Sequence, residues 1–190
     1  QLRNEIRGRS DIKDSTIVIG HVGRFFKQKN HKFLIDIFEE YHRDNPNSLL
    51  VMIGDGELIE KIKSKVAQKK LEDSVYFLGN RSDVADWYQA MDMFVLPSFY
   101  EGFPVVSIEA QASGLPCLFS DGITPEVQIS PNAQFMNLGN GAKAWAEKMK
   151  YMLDNKQGRS DLILNHDWFD IEKNADKLNS FYHMKVKKTT

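Results

Sequence analysis

An α/β fold, with a parallel sheet of about six strands and helices on both faces, is predicted by two patterns in the 190-residue sequence. Short β-branched or apolar runs alternate with longer stretches whose apolar residues fall at helical spacing. Most of the short runs then close on glycine or on Pro-Ser. A strand, a helix and a further strand at this spacing return the chain to the same end of the sheet, so the strands pair in parallel.

The elements follow in order. Residues 1–15 are polar and charged and read as a linker or a short helix. Thr16–Gly23 is a buried strand ending in glycine. Across His31–Arg43, Phe33, Leu34, Ile37, Phe38 and Tyr41 mark one helical face, and Asn45-Pro46-Asn47 stops it. Leu49–Ile53 is the second strand, closed by Gly54-Asp55-Gly56, whose glycines read as markers of a tight turn. Leu58–Leu71 is a charged amphipathic helix, Val75–Leu78 a third strand and Val84–Met91 a short helix. Met93–Leu96 is apolar throughout, as a strand covered on both faces should be. Val105–Ser113 is a helix, with Pro104 suited to its first position because the missing N–H has no partner there. Pro116–Phe119 and Gln134–Met136 are the last strands, and Ala142–Leu153 is a further helix. Asp167–Tyr182, led in by Asp167-Trp168-Phe169, is a final helix. The resulting division is a segment 1–15, one domain over 16–165, a terminal helix within 166–184 and a disordered tail 185–190.

Composition narrows the function. The apolar share is 42%, ordinary for a globular chain, and the net charge of −1 gives no broad basic surface for nucleic acid. Cys117 is the only cysteine and sits in the apolar run Leu115–Phe119, so it reads as a packing residue; a reactive thiol needs an electropositive, partly exposed place. No signal peptide is visible and no apolar run approaches the ~20 residues of a membrane span. A cytoplasmic protein is the simplest expectation, extended at most to a peripheral place at the inner membrane face. The chain begins with Gln1, which reads as a piece of something longer. The five histidines show no zinc-ligand spacing and no G-x-G-x-x-G is present, so neither a metal nor a bound redox cofactor is expected.

The chemistry-bearing residues follow predicted strands, and in parallel sheets the ligands bind outside the carboxyl ends of the strands. Glu101 and Glu109 flank a Gly-Phe-Pro turn and a helix start. The free N–H groups of such a start attract phosphate. A diphosphate with a hydroxyl-rich group on each side fits between two carboxylates placed this way, and a nucleotide-sugar is such a molecule. Arg24 and Lys29 stand in the loop after the first strand. Guanidinium offers a planar fork to phosphate oxygens and ammonium a movable point charge. Taken singly, each of these residues could equally be a solvated charge.

As a set they resemble a known family. Glu101 to Glu109 is similar to the E-x7-E motif of retaining glycosyltransferases of the GT-B fold, family 4 or glycosyl transferases group 1, and Gly23 to His31 resembles the G-R-x4-K loop of that family. Ile53 to Leu58, Val75 to Gly79 and Met93 to Ser98 resemble its G-x-G turn and nucleotide-side strands, in the same order over roughly residues 16–155. The resemblance implies a Rossmann-like, donor-binding half of a two-domain enzyme that moves a sugar from a nucleoside-diphosphate sugar, most often UDP-linked, to a saccharide or lipid-linked acceptor hydroxyl. The partner N-terminal domain of the same protein would shape the acceptor site, so the fragment alone should bind nucleotide and barely turn over. In that scheme Arg24 and Lys29 steady charge on the leaving diphosphate. Glu101 supports the donor sugar and its transition state, and Glu109, whose neighbours Ile108 and Ala110 suggest a largely covered helix, accepts the ribose hydroxyls. Gly23 and the backbone N–H groups of Gly102, Phe103 and Val105 meet the donor, and Asn80 and Arg81 border the base. Pro104 stands where many relatives carry glycine. Asp121–Glu126 is expected to form a loop over the sugar, and Ser120–Val127 resembles enzymes of bacterial capsular or extracellular polysaccharide synthesis. Two other readings stay open: a nucleotide-sugar epimerase of the same architecture, and a non-catalytic nucleotide-binding scaffold.

Overall fold

The computed structural model describes residues 1–155 and 171–186. Six parallel strands form one sheet: β1 (Ile17–Val22), β2 (Ser48–Ile53), β3 (Val75–Phe77), β4 (Met93–Leu96), β5 (Cys117–Ser120) and β6 (Ala133–Met136), in the order β3-β2-β1-β4-β5-β6. The chain starts in the middle and builds outward through β2 and β3. It then crosses back to lay β4 on the free side of β1, with Ile19 opposite Met93. Winding direction therefore reverses between β1 and β4, which opens a crevice at their carboxyl ends. The β1–β2 pairing keeps register along all six positions, from Ile17–Ser48 to Val22–Ile53, so the loops after these strands leave the sheet at the same level.

Alternate strand residues divide between two apolar layers, as the period of two requires. Val18, Val51, Phe94 and Phe119 pack toward α1 (Leu2–Arg9), α4 (Val84–Ala90) and α5 (Val105–Ala112). Ile19, Leu50, Met52, Val95 and Leu118 pack toward α2 (His31–Asp44), α3 (Ile59–Gln68) and α6 (Gly141–Asp154). Met93–Leu96 is fully buried, as its unbroken apolar run predicts. Cys117 is buried as well; its thiol donates to Leu115 O (3.3 Å), and burial pushes its pKa well up.

Three expectations are refined. The segment 1–15 contains a docked helix: Ile6 joins the α4 layer, and Arg7, fully buried, donates to Asp92 Oδ2 (2.7 Å) and to the Ala90 and Thr16 carbonyls. Asp92 also accepts from Arg3 (2.7 Å) and the Val18 N–H (2.9 Å), so α1 is tied to the amino ends of β1 and β4, opposite the crevice. Charge at 3, 7 and 92 thus anchors an element whose polar composition suggested a linker or a short helix. Pro104 sits one residue before α5, extended (ψ 108), because its carbonyl accepts the first helical bond from Ser107 N (3.0 Å) and a second from Ser107 Oγ (2.6 Å). Finally, the last helix, α7, runs over Ile171–Val186, so Lys185 and Val186 belong to it. The Asp167-Trp168-Phe169 lead-in and the tail 187–190 lie outside the described residues. Among the described residues no helix is long and apolar enough to cross a membrane.

Candidate active site at the β1–β4 switch point

Backbone hydrogen bonds lace the strand-end loops into one surface. Gly23 N donates to Ile53 O (2.9 Å), Phe25 N to Asp55 O (2.9 Å) and Gly54 N to Gly79 O (2.8 Å). Close approach explains the glycine at 54: its φ is +137°, and a Cβ there would lie 2.2 Å from Gly23 O. The G-x-G turn is thus a packing device that lets the β2 loop touch the β1 loop. Together these loops border an open cleft of about 510 Å³, lined by Gly23, Arg24, Gly54, Asp55, Asn80 and Arg81 among others. The Arg24 guanidinium lies over the Phe26 ring, 4.1 Å from its centroid, and the residue is exposed. Stacking on a ring face leaves the N–H edges of a guanidinium for an anion. Arg81 is less available: Asp83 takes a forked pair of bonds (2.6 and 2.7 Å), and the guanidinium lies 5.6 Å from the Trp87 ring.

Lys29 and Glu101 meet across the crevice at 2.6 Å, with side chains 16% and 9% exposed. Glu101 also accepts from Ser98 Oγ (2.9 Å) on the same oxygen and from Gln28 Nε2 (3.0 Å) on the other. A carboxylate offers about four lone-pair positions. Three are filled by the protein's own donors, leaving room for about one more. Glu101 is therefore foremost the seat of Lys29, and its access to a sugar is narrower than the spacing of the two glutamates suggested. The ammonium retains two further N–H donors. Glu101 N donates to Gly122 O (3.1 Å), and Glu101 forms a lone bridge with Ile123. The 121–126 loop is in this way laid directly beside it.

Glu109 is exposed on α5, unlike the largely covered setting read from its neighbours Ile108 and Ala110. Tyr88 of α4 donates to it at 3.0 Å. Burial, with Glu109 beside it, pushes the Tyr88 phenol up, so it stays protonated as a donor. Glu109 is not among the residues lining the Arg24 cleft; Val84, one turn before Tyr88 on α4, connects the two. No side chain caps α5, and Phe103 and Val105 at its start are 47% and 61% exposed.

Behind the cationic loop stand two buried imidazoles. His21 Nδ1 pairs with Val95 O (2.9 Å), which makes it the donor and leaves Nε2 as an unpaired acceptor. The His31 ring packs edge-on to His21 (4.7 Å) and stacks on Phe25 (4.1 Å). Burial, reinforced by the nearby Lys29 charge, lowers His21 to about 4 and, with His21 also adjacent, His31 to about 2. Both rings are neutral under ordinary conditions, so Lys29 carries the positive charge here. Gly23 lies between these groups: a Cβ on it would come within 3.1 Å of the Lys29 stem and 3.3 Å of His21 Nε2.

The structure therefore brings Gly23, Arg24, Asn80 and Arg81 to one cleft and joins Lys29 to Glu101 beside it. Gly102, Phe103, Val105 and Glu109 stand on α5 or its approach, next to Glu101 in the chain. Sequence reasoning missed the supports Gln28, Ser98 and Tyr88. The first two sit inside the quoted motifs, and Tyr88 had only its helical position to mark it. Among the described residues no three His, Cys, Asp or Glu side chains gather as a metal site would need.

A parallel sheet of this order is Rossmann-like, the arrangement of each half of the GT-B architecture. The C-terminal domain of a glycosyl transferase group 1 family protein from Francisella tularensis has that fold, with 23% identity and a TM-score of 0.70 over 80% of this chain and 83% of that one. Anabaena HepE, solved with UDP and glucose, superposes with a TM-score of 0.71 at 20% identity, over 81% of this chain and 43% of its own. In sequence, residues 3–167 match the family model of glycosyl transferases group 1, and the chain belongs to that family. The putative glycosyltransferase EpsF of Bacillus subtilis (strain 168) is 33% identical over 192 residues, covering 99% of this chain and 50% of EpsF. The chain spans about half the length of that curated relative.

Proposed function

We propose that this chain is the donor-binding half of a retaining glycosyltransferase that transfers a sugar from a UDP-sugar to an acceptor hydroxyl. The observation that carries the reading is that Arg24 lines the cleft at the strand ends while the Lys29–Glu101 pair stands beside it, the Lys29 stem lying against Gly23 of the same cleft, where a parallel sheet receives its ligand. As the anomeric C–O bond breaks, its electron pair leaves with the diphosphate, and negative charge grows on the phosphate oxygen. Arg24 and Lys29 are the groups to take that charge, and a partly dry site strengthens their effect. The acceptor hydroxyl then attacks the same face and its proton passes to the departing phosphate oxygen. Glu101 holds Lys29 in place and offers its remaining lone pair to the donor sugar. Glu109, oriented by Tyr88, accepts from the ribose hydroxyls, and the start of α5 faces the diphosphate. Asn80 and Arg81 border the base.

UDP is favoured among the nucleotides because HepE, of the same fold, was solved with it. The acceptor is a saccharide or lipid-linked hydroxyl, placed by a second domain, and the role suggested by Ser120–Val127 is surface-polysaccharide synthesis. Titration calorimetry with UDP, GDP and ADP tests the reading. UDP should bind and Lys29→Ala should weaken it at least tenfold. A chain that binds none of the three, or binds them equally well without Lys29, is not a donor half.

A further inference from the structure

Gln28 stands in the loop after β1, next to Lys29, and reaches across the crevice to three consecutive residues of the loop after β4. Its carbonyl accepts from Phe99 N (2.8 Å), and its side-chain nitrogen donates to Tyr100 O and to Glu101 Oε2, each at 3.0 Å. Both side-chain partners are acceptors, so the amide sits one way round, with Nε2 toward them and both of its N–H groups engaged. The two oxygens of Glu101 are served unequally. Lys29 and Ser98 share Oε1, whereas Gln28 is the donor on Oε2 among the described residues. The bonds on Oε1 fix one corner of the carboxylate. The bond on Oε2 fixes the other, and with it the plane of the group, since the last torsion of a glutamate has no strong preference of its own.

The segment 99–101 needs such a hold. Phe99 and Tyr100 are 46% and 65% exposed, so their side chains do little to anchor it by packing. On one side it is tied to the loop after β5. Ser98, fully buried, accepts at its carbonyl from Ser120 Oγ, and Glu101 N donates to Gly122 O (3.1 Å). Gly122 comes so near that a Cβ on it would lie 2.1 Å from Phe99 O. On the other side, its bonds to the β1 loop run through Gln28 and the Lys29–Glu101 pair. Gln28 therefore governs how the carboxylate at 101 sits relative to the ammonium at 29.

We propose that Gln28 is a positioning residue for the donor sugar: it aims the remaining lone pair of Glu101 and keeps it at a fixed distance from Lys29, so that sugar and diphosphate are received as one unit. The identity of the ligand rests on the donor-half reading above. To that reading Gln28 adds the means by which the site tells a nucleoside-diphosphate sugar from the bare nucleoside diphosphate. Losing its N–H donors should cost the sugar-nucleotide more than the nucleotide. A carboxylate of the same shape should cost most, because it sets a like charge against Glu101.

Two measurements on the full chain test this, the first without ligand. Gln28 is partly exposed, so neither variant opens a cavity in the core. In Gln28→Met, amide hydrogen exchange read by NMR should quicken about tenfold or more at Phe99 and Glu101 and stay unchanged at Phe94 within β4. No change at 99 and 101, or equal quickening at 94, overturns the proposal. Calorimetry then compares UDP with UDP-glucose, UDP-galactose and UDP-N-acetylglucosamine. For the sugar-nucleotide that wild type binds most tightly, Gln28→Met should lose about tenfold or more, and for UDP no more than about threefold. Gln28→Glu, the closest in shape, should lose more than Gln28→Met; a packing role gives the opposite order. Equal losses for UDP and the sugar-nucleotide, or full affinity in Gln28→Glu, overturn the proposal and leave the donor-half reading standing. Wild type that binds no UDP overturns both.

Discussion

Lys29 is the residue on which the site turns. Its ammonium is seated by Glu101, which is itself held by Gln28 and Ser98. A hydrogen bond to a charged group contributes about 1.5–3 kcal/mol, so Lys29→Ala should cost UDP binding roughly ten- to a hundredfold. Glu101→Gln keeps the shape and loses the charge that seats Lys29. If Glu101 acts through Lys29, the two changes are non-additive: in a double-mutant cycle read by calorimetry, the second should add little to the first. Full additivity would place Glu101 on the ligand independently. The neighbouring histidines give a pH signature. Their native pKa values, about 4 for His21 and about 2 for His31, lie below the ordinary 6.5. The unfolded chain therefore takes up protons that the native chain refuses, and stability is complete above pH 6.5 and declines as pH falls below it. Each histidine contributes a slope that rises from about 0.7 kcal/mol per pH unit at pH 6.5 toward about 1.3 near pH 5, above the range where carboxylates titrate. Urea midpoints across that interval should fall in wild type and fall less steeply in His31→Phe.

At the scale of elements, the strand-end loops hold one another through their backbones. Gly54→Ala places a methyl 2.2 Å from Gly23 O at a φ of +137°, so it strains its own turn and pushes the β1 loop aside. A loss of roughly 1–3 kcal/mol is expected in urea unfolding, together with weaker UDP binding. The amino-terminal helix behaves differently. Asp92→Ala leaves Arg7 buried without its partner, and breaking such a pair costs about 3–5 kcal/mol, to be read as a lowered denaturation midpoint with nucleotide affinity kept in the fraction that stays folded. Most elements were legible from sequence because apolar period and turn residues act locally: Met93–Leu96 and the helix expected over Leu58–Leu71, found over Ile59–Gln68, are examples. Docking of Leu2–Arg9 was not, since its decisive partner, Asp92, lies more than eighty positions away. Only the fold makes a polar segment into an anchored helix.

For the whole molecule, topology turns separate loops into one site. The motifs at residues 23–29 and 101–109 were readable as chemistry, and their meeting followed from parallel strands and the reversal at β1–β4. What the sequence could not give was which group satisfies which. Glu101 was read as facing a sugar and is largely occupied by Gln28, Lys29 and Ser98. Glu109 was read as covered and is exposed, held from behind by Tyr88. Such pairings depend on side-chain reach across the crevice, which spacing along the chain does not encode. A crystal structure of this chain soaked with UDP is the most direct measurement of the central claim. The diphosphate should lie within about 3 Å of Lys29 Nζ and the Arg24 guanidinium, with the ribose at Glu109. A nucleotide seated away from the β1–β4 crevice, without contact to Arg24 or Lys29, would contradict the account.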